Sequence, residues 1–354
     1  MDVTLWFGLI ALLLAVVLDL TLGDPPNRWH PVVWMGSFIR RYAPVALRVP
    51  AVPSEAGGEG ILRGVPGSVS PASPAGGRRP WDWPAFLRGM AVTLVGATLF
   101  SAPLWVLLHW LTPRCWPLAL VINVVGLKLV IAYRGLVRAA REVGEALRAG
   151  DLPEAQRLLS WHLVSRDTRR LTPGLVAAAT VESVAENLTD GVAAPVLFYM
   201  LGGLPAAWAY RYINTCDSML GYRDAAREYL GKFPARLDDL LNYVPARLTA
   251  LAIIAGAAFT GAEAPRALAT AAYQHGRTAS PNAGWTMSAM AGALGVTLEK
   301  VGHYRLEGGS AMPDAKAIEA ALAVARATLC VLVLAAVAFG ALWLPLARHW
   351  SIWP

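Results

Sequence analysis

Acidic side chains at helical spacing inside an apolar stretch are the first residues here that could do chemistry. The run Thr180-Val-Glu182-Ser183-Val-Ala-Glu186-Asn187-Leu-Thr189-Asp190-Gly191 follows Thr172-Pro173, a helix start, and Gly191 is a helix stop. Glu182, Glu186 and Asp190 then fall at i, i+4 and i+8, on one stripe. Carboxylates so spaced repel one another unless a cation neutralises them. Mg²⁺, which prefers hard oxygen ligands, is the natural neutraliser. The plainer reading is a solvated acidic face paired with Arg166, Arg169 or Arg170. The Ala/Val-rich opposite face, and the apolar run 192–212 that follows, favour a catalytic or metal site.

Four more polar clusters interrupt the apolar chain. The first holds Asp19, Asp24, Arg28 and His30. Asp24-Pro-Pro is a turn signal, but a carboxylate such as Asp19 inside an apolar run is costly and points to function. His30 reads equally as a satisfied structural histidine and as a ligand contact. The second runs from Tyr210 to Arg223 and offers Asn214, Asp217 and Arg223. The third, 231–247, offers Lys232 and Arg236 for phosphate, with Asp238 and Asp239 as reserve metal ligands. The fourth contains Ser280-Pro-Asn282-Ala-Gly-Trp285, a turn whose small residues admit a ligand, followed by His303. Phosphate-loop, dinucleotide-fingerprint, HExxH and G-x-S-x-G patterns are all missing, and the three cysteines lie far apart without metal-ligand spacing.

The elements that must position these groups are membrane helices. Of 354 residues, 56% are hydrophobic and 16% charged, with mean hydropathy +0.45; soluble domains carry about 25% charge. Apolar spans are expected at Val3–Leu22, Met90–Leu111, Trp116–Tyr133 and Ala327–Leu346, with tryptophans near their ends. Val192–Tyr212, broken by Gly202, Gly203 and Pro205, and the short Leu248–Gly261 read as broken or re-entrant segments. Segments 23–85 and 134–190 carry seven and eight Arg/Lys against one at 112–115, which puts both in the cytoplasm and the N-terminus outside. Segments 211–247 and 262–324, with six and five, belong on the cytoplasmic side too, and a re-entrant pair reconciles them. The fold class is therefore all-α and polytopic, a single membrane-embedded domain over 1–354 with cytoplasmic amphipathic helices such as 134–161. Residues 50–85, rich in Pro, Gly, Ser and Ala, read as a flexible cytoplasmic loop. The net charge of +7 follows from loop basics, and no basic run interleaved with aromatics suggests nucleic acid.

Six strings, in order, resemble the adenosylcobinamide-phosphate synthase family of cobalamin biosynthesis: LDLTLGDPPNRWHPVVWMG, TVESVAENLTDGVAAPVLFY, YRYINTCDSMLGYR, GKFPARLDDLLNYVPARLTA, SPNAGWTMSAMAGALGV and LEKVGHYRL. The resemblance covers about 18–306, apart from 50–85. It implies a ligase of the cytoplasmic membrane, acting on the cytoplasmic face. That ligase joins adenosylcobyric acid to (R)-1-aminopropan-2-ol O-phosphate, or a related amino alcohol, with ATP and Mg²⁺. Under it, Glu182, Glu186 and Asp190 become metal or catalytic carboxylates and Asp217 a catalytic one. Arg223, Lys232 and Arg236 take phosphate. Asp24, Arg28, His30, Asn187, Asn214, Ser280, Asn282, Trp285 and His303 bind substrate. Contacts with other corrin-pathway membrane enzymes and a homo-oligomer stay open. A transporter of an anionic or corrinoid solute is the rival, since intramembrane acids and broken helices also line transport paths.

Overall fold

The computed structural model describes residues 3–23, 25, 27–44, 81–222, 224 and 226–347. Asp24 and Arg223 lie outside them, as does the stretch 50–80 of the expected loop. Its remainder is ordered: Asp82 accepts from the Ala85 amide at 3.0 Å and starts α3 (Trp83–Leu111). The chain is helical almost throughout. Among the described residues, five helical stretches are long and apolar enough to cross a membrane: Trp83–Leu111, Trp116–Arg148, Pro173–Leu220, Tyr243–Thr260 and Ala315–Leu342. Trp6–Thr21, within α1 (Val3–Thr21), is a shorter apolar helix. Exposed Leu94, Val95, Leu99, Val106, Val121, Val125, Leu334 and Leu342 give these helices the apolar outer surface that lipid covers.

The apolar runs mark only part of each helix. α3 begins seven residues before the expected span, and α13 (Ala315–Ala347) twelve before. Both grow out of polar turns whose hydrogen bonds favour helix as much as the apolar residues do. The expected span Trp116–Tyr133 stops as a helix at Lys128 (α4, Trp116–Lys128), and the chain restarts as α5 (Tyr133–Arg148). Asp19 explains the restart. Its Oδ2 accepts the Arg134 amide at 3.0 Å, and the Arg134 guanidinium donates to the Leu20 and Thr21 carbonyls at 2.6 and 2.9 Å. The costly acid of α1 thus caps a free N–H in the first turn of another helix. α5 is amphipathic, burying Leu136, Ala140 and Val143 and exposing an Arg138–Glu142 ion pair at 2.8 Å.

α7 (Pro173–Leu188) is buried on nearly every side and packs on α5, α13, α12 (Ala283–Leu294) and strand β1 (Thr297–Lys300). A π-helical turn, Thr189–Ala193, joins it to α8 (Ala194–Leu220). α8 is not one rod. Gly202 and Gly203 leave helical geometry, Gly203 at φ +67°, a conformation open to glycine. Phe198 stacks on Tyr210 at 5.0 Å, and the Arg211 guanidinium reaches the Asp190 carbonyl at 3.4 Å. A straight helix would hold Phe198 and Tyr210 about 18 Å apart. The chain therefore reverses at the glycine pair and returns alongside itself, as the broken-segment reading of Val192–Tyr212 expects. α9 (Lys232–Leu241), α10 (Tyr243–Thr260) and α11 (Ala264–Gln274) follow. β1 and β2 (Tyr304–Glu307) make an antiparallel hairpin, the only strand pair among the described residues. Its alternating Thr-Leu-Glu-Lys and Tyr-Arg-Leu-Glu, around Gly302, are strand-like in sequence.

Candidate active site

The reversal of α8 brings together acids that are far apart in sequence. Glu186 and Asp190, from the end of α7 and the π turn, meet Asp217 from the end of α8 and Asp238 and Asp239 from α9. They line a cavity of about 440 Å³, a size that suits a small-molecule site. Lys232, Arg236 and Arg227 line it too, with Ser280 and Asn282 from the start of α12. Gly231 is required at the rim: a Cβ there would collide with the Leu220 carbonyl.

Each lining cation already faces an acid. Lys232 lies 3.7 Å from Glu228, Arg236 lies 3.7 Å from Asp239, and Arg227 is bound by Asp224. No lysine or arginine pairs with Glu186, Asp190 or Asp217 among the described residues. The hydroxyl of Thr189, buried in the same wall, also lacks a partner there. Buried carboxyls without a charged partner either hold a proton or take up a cation. An ammonium group or a divalent ion would serve as that cation.

Asp238 is the best-oriented of these acids. Asn214 donates to its Oδ1 at 3.2 Å and Asn242 to its Oδ2 at 3.0 Å, while the Tyr210 hydroxyl donates to Asn242 at 2.9 Å. Burial pushes the Asp238 carboxyl up to about 6, with Asp239 and Glu186 adding to the rise and the two asparagines opposing it. Such a group exchanges a proton near neutral pH.

The expected stripe of three acids divides. Glu182 is absent from the cavity wall. It is buried toward the hairpin, in the field of Arg166, Lys300 and Tyr304, with its Oε1 unpartnered among the described residues. Burial first, then repulsion by Arg166, lowers the Lys300 pKa, against the pull of Glu182 and Glu186. Among the described residues no three acid, histidine or cysteine side chains gather closely enough to cage an ion alone. Mg²⁺ needs no such cage, because it binds through one or two carboxylates together with substrate phosphates. Asp190 and Asp217 offer that donor set, so the cavity fits a phosphate-bound ion.

Other expected contacts lie elsewhere. His30 accepts the Val32 amide at 3.3 Å and caps α2 (Pro31–Tyr42). Arg28 sits over the exposed Trp29 ring, and His303 is exposed at the hairpin turn. Asn187 donates back to the Ser183 carbonyl. Asn214 stands behind the wall, holding Asp238. Trp285 stacks on His275 at 3.8 Å, beside Arg247, whose guanidinium also reaches Asn282 at 3.3 Å. Sequence reasoning passed over Thr189, Arg227, Asn242 and Arg247. Only Asn242, four residues after Asp238 on one helix face, carried a legible signal.

Residues 12–331 match the family model described as CobD/CbiB protein. The chain is 39% identical to the cobalamin biosynthesis protein CobD of Dehalococcoides mccartyi, covering 84% of this chain and 86% of that one. It is 36% identical to CobD of Klebsiella pneumoniae and to CbiB of Salmonella typhimurium, in each case over 84% of this chain and 83% of the relative. No solved structure matches it.

Proposed function

The chain belongs to the CobD/CbiB protein family, and on that premise we propose that it is a membrane-embedded adenosylcobinamide-phosphate synthase of cobalamin biosynthesis. The carboxylate of adenosylcobyric acid takes the terminal phosphoryl group of ATP, and ADP leaves. The amine of an amino-alcohol phosphate then displaces phosphate to form the amide, losing a proton.

The observation that carries this reading is the convergence of four distant motif stretches on one cavity lined by both acids and cations. In the proposed reaction Lys232 and Arg236 hold phosphate, trading their present acid partners for it. Asp190 and Asp217 would hold Mg²⁺, which when bound screens the phosphate charge. Asp238, oriented by Asn214 and Asn242, receives the amine proton. Glu186 stands between the cavity and Lys300 and keeps the acid wall negative. The excess of basic residues in 134–190 and 211–247 favours a cavity that opens to the cytoplasm.

The test is product analysis. Purified protein in detergent is incubated with adenosylcobyric acid, (R)-1-aminopropan-2-ol O-phosphate and MgATP, and the products are resolved by mass spectrometry. The expected result is a corrinoid heavier by the amino-alcohol phosphate less one water, with one ADP formed per amide. Uptake of corrinoid into proteoliposomes without any such product would replace the ligase with a transporter.

A further inference from the structure

Beside Lys232, one of the cations that line the cavity, stands a group of aromatic rings that the proposed chemistry leaves unused. Trp81, 43% exposed, meets Tyr229 edge-on at 5.1 Å and lies 5.7 Å from Phe86, which in turn meets Phe233 at 6.3 Å. The rings come from the start of α3, the turn before α9 and α9 itself. Lys232 joins this shelf to the cavity. Its ammonium sits 4.7 Å from the Trp81 ring centre and 5.5 Å from that of Tyr229, while the same side chain lines the cavity. Arg236, one helical turn further, also lines the cavity and is 72% exposed.

The rings stand at steep angles to one another, 64° between Trp81 and Tyr229, so it is the partly exposed indole face of Trp81 that takes another flat ring, and base–aromatic stacking is tolerant of the base's identity. Cations at its edge take phosphate. Acids beyond them take the divalent ion that accompanies a polyphosphate. In that order, shelf, cations and acids match a ligand with a planar heterocycle at one end and a phosphate chain at the other. We propose that the shelf seats the base of a nucleoside triphosphate, with Trp81 stacked on the ring, Tyr229 at its edge and Lys232 leaving them to meet the phosphates. The proposal rests on the ATP-dependent reading above, to which it adds where the nucleotide binds. Tryptophans at the start of a spanning helix also serve as interfacial anchors, but an anchor has no need of the lysine and second ring that bind Trp81 to the cavity.

The experiment measures displacement of a fluorescent N-methylanthraniloyl ATP from full-length protein in detergent, by ATP and by inorganic tripolyphosphate, which has no base. Trp81→Ala with Tyr229→Ala should weaken ATP roughly tenfold or more and leave tripolyphosphate within about twofold. Trp81→Phe with Tyr229→Phe, which keeps both ring faces, should restore most of the ATP affinity and guards against misfolding. Equal ATP affinity in the alanine variant and the wild type would overturn the shelf. So would parallel weakening of ATP and tripolyphosphate. Wild-type protein that binds neither, yet is folded by circular dichroism, would instead overturn the ATP-dependent reading itself.

Discussion

Asp19 and Asp190 are both acids set in apolar sequence, and the structure uses them in opposite ways. Asp19 accepts the Arg134 amide and closes the start of α5. Its Oδ2 is engaged by that amide at a helix start, and it does not line the cavity. Asp190 stands in a wall of acids where, among the described residues, no lysine or arginine pairs with it. An embedded carboxylate therefore identifies a site only when the fold leaves its demand for a cation unmet. Where the backbone already answers that demand, the acid is a fastening.

The most drastic test of the comparison is topological, since on the proposed orientation both acids would stand near one face of the membrane. In a background without native cysteines, Arg138→Cys and Ala226→Cys should react with an impermeant maleimide from the same side, and Cys115, restored alone, from the other. Labelling of Ala226→Cys from the Cys115 side would separate the two regions and undo the reversal of α8.

Next in size, Asp190→Asn should lower kcat by roughly 10²-fold or more, the scale of a lost charge-stabilising or acid–base group. The melting temperature should hold or rise, because one mutually repelling charge is gone. Asp19→Ala should do the reverse, costing about 1–2 kcal/mol of stability as a lost cap, with turnover per folded molecule retained. If Asp19→Ala abolishes turnover in folded protein, the contrast between fastening and site is wrong.

A smaller effect tests the acid wall through pH. The native Asp238 carboxyl holds its proton up to about 6, against an ordinary 3.8. Between those values the folded protein binds more protons than the unfolded chain, so this group makes stability fall as pH rises through that window. Asp238→Asn should flatten the decline in melting temperature between about pH 4 and 6. An unchanged slope would mean that Asp238 is not the buried, repelled acid the geometry describes.

Much of this was legible beforehand, and the gaps have physical causes. The membrane class, the break at Gly202–Gly203 and the acids Glu186, Asp190 and Asp217 follow from runs, punctuation and spacing. The division of Glu182 from Glu186 does not, because helical periodicity places residues on a face without saying what packs there. Lys300 and Tyr304 arrive on that face from more than a hundred residues away. The role of Asp19 was hidden for the same reason: its partner is a backbone amide, and every sequence offers those. His30 reads both ways in sequence, and only the Val32 amide at 3.3 Å reveals a cap.

The turn at Gly203 also bears on how this protein is made. The helix that leads into it runs from Pro173 through the π turn to Leu201 without a break, about 43 Å, long enough to cross a hydrocarbon core. The arm that leaves it, tied back by the Phe198–Tyr210 stack, can then enter only as the partner of a helix already in place. A substitution that jams the Gly202–Gly203 corner would leave a protein that reaches the membrane, keeps its outer helices and never brings Asp217 back beside Asp190.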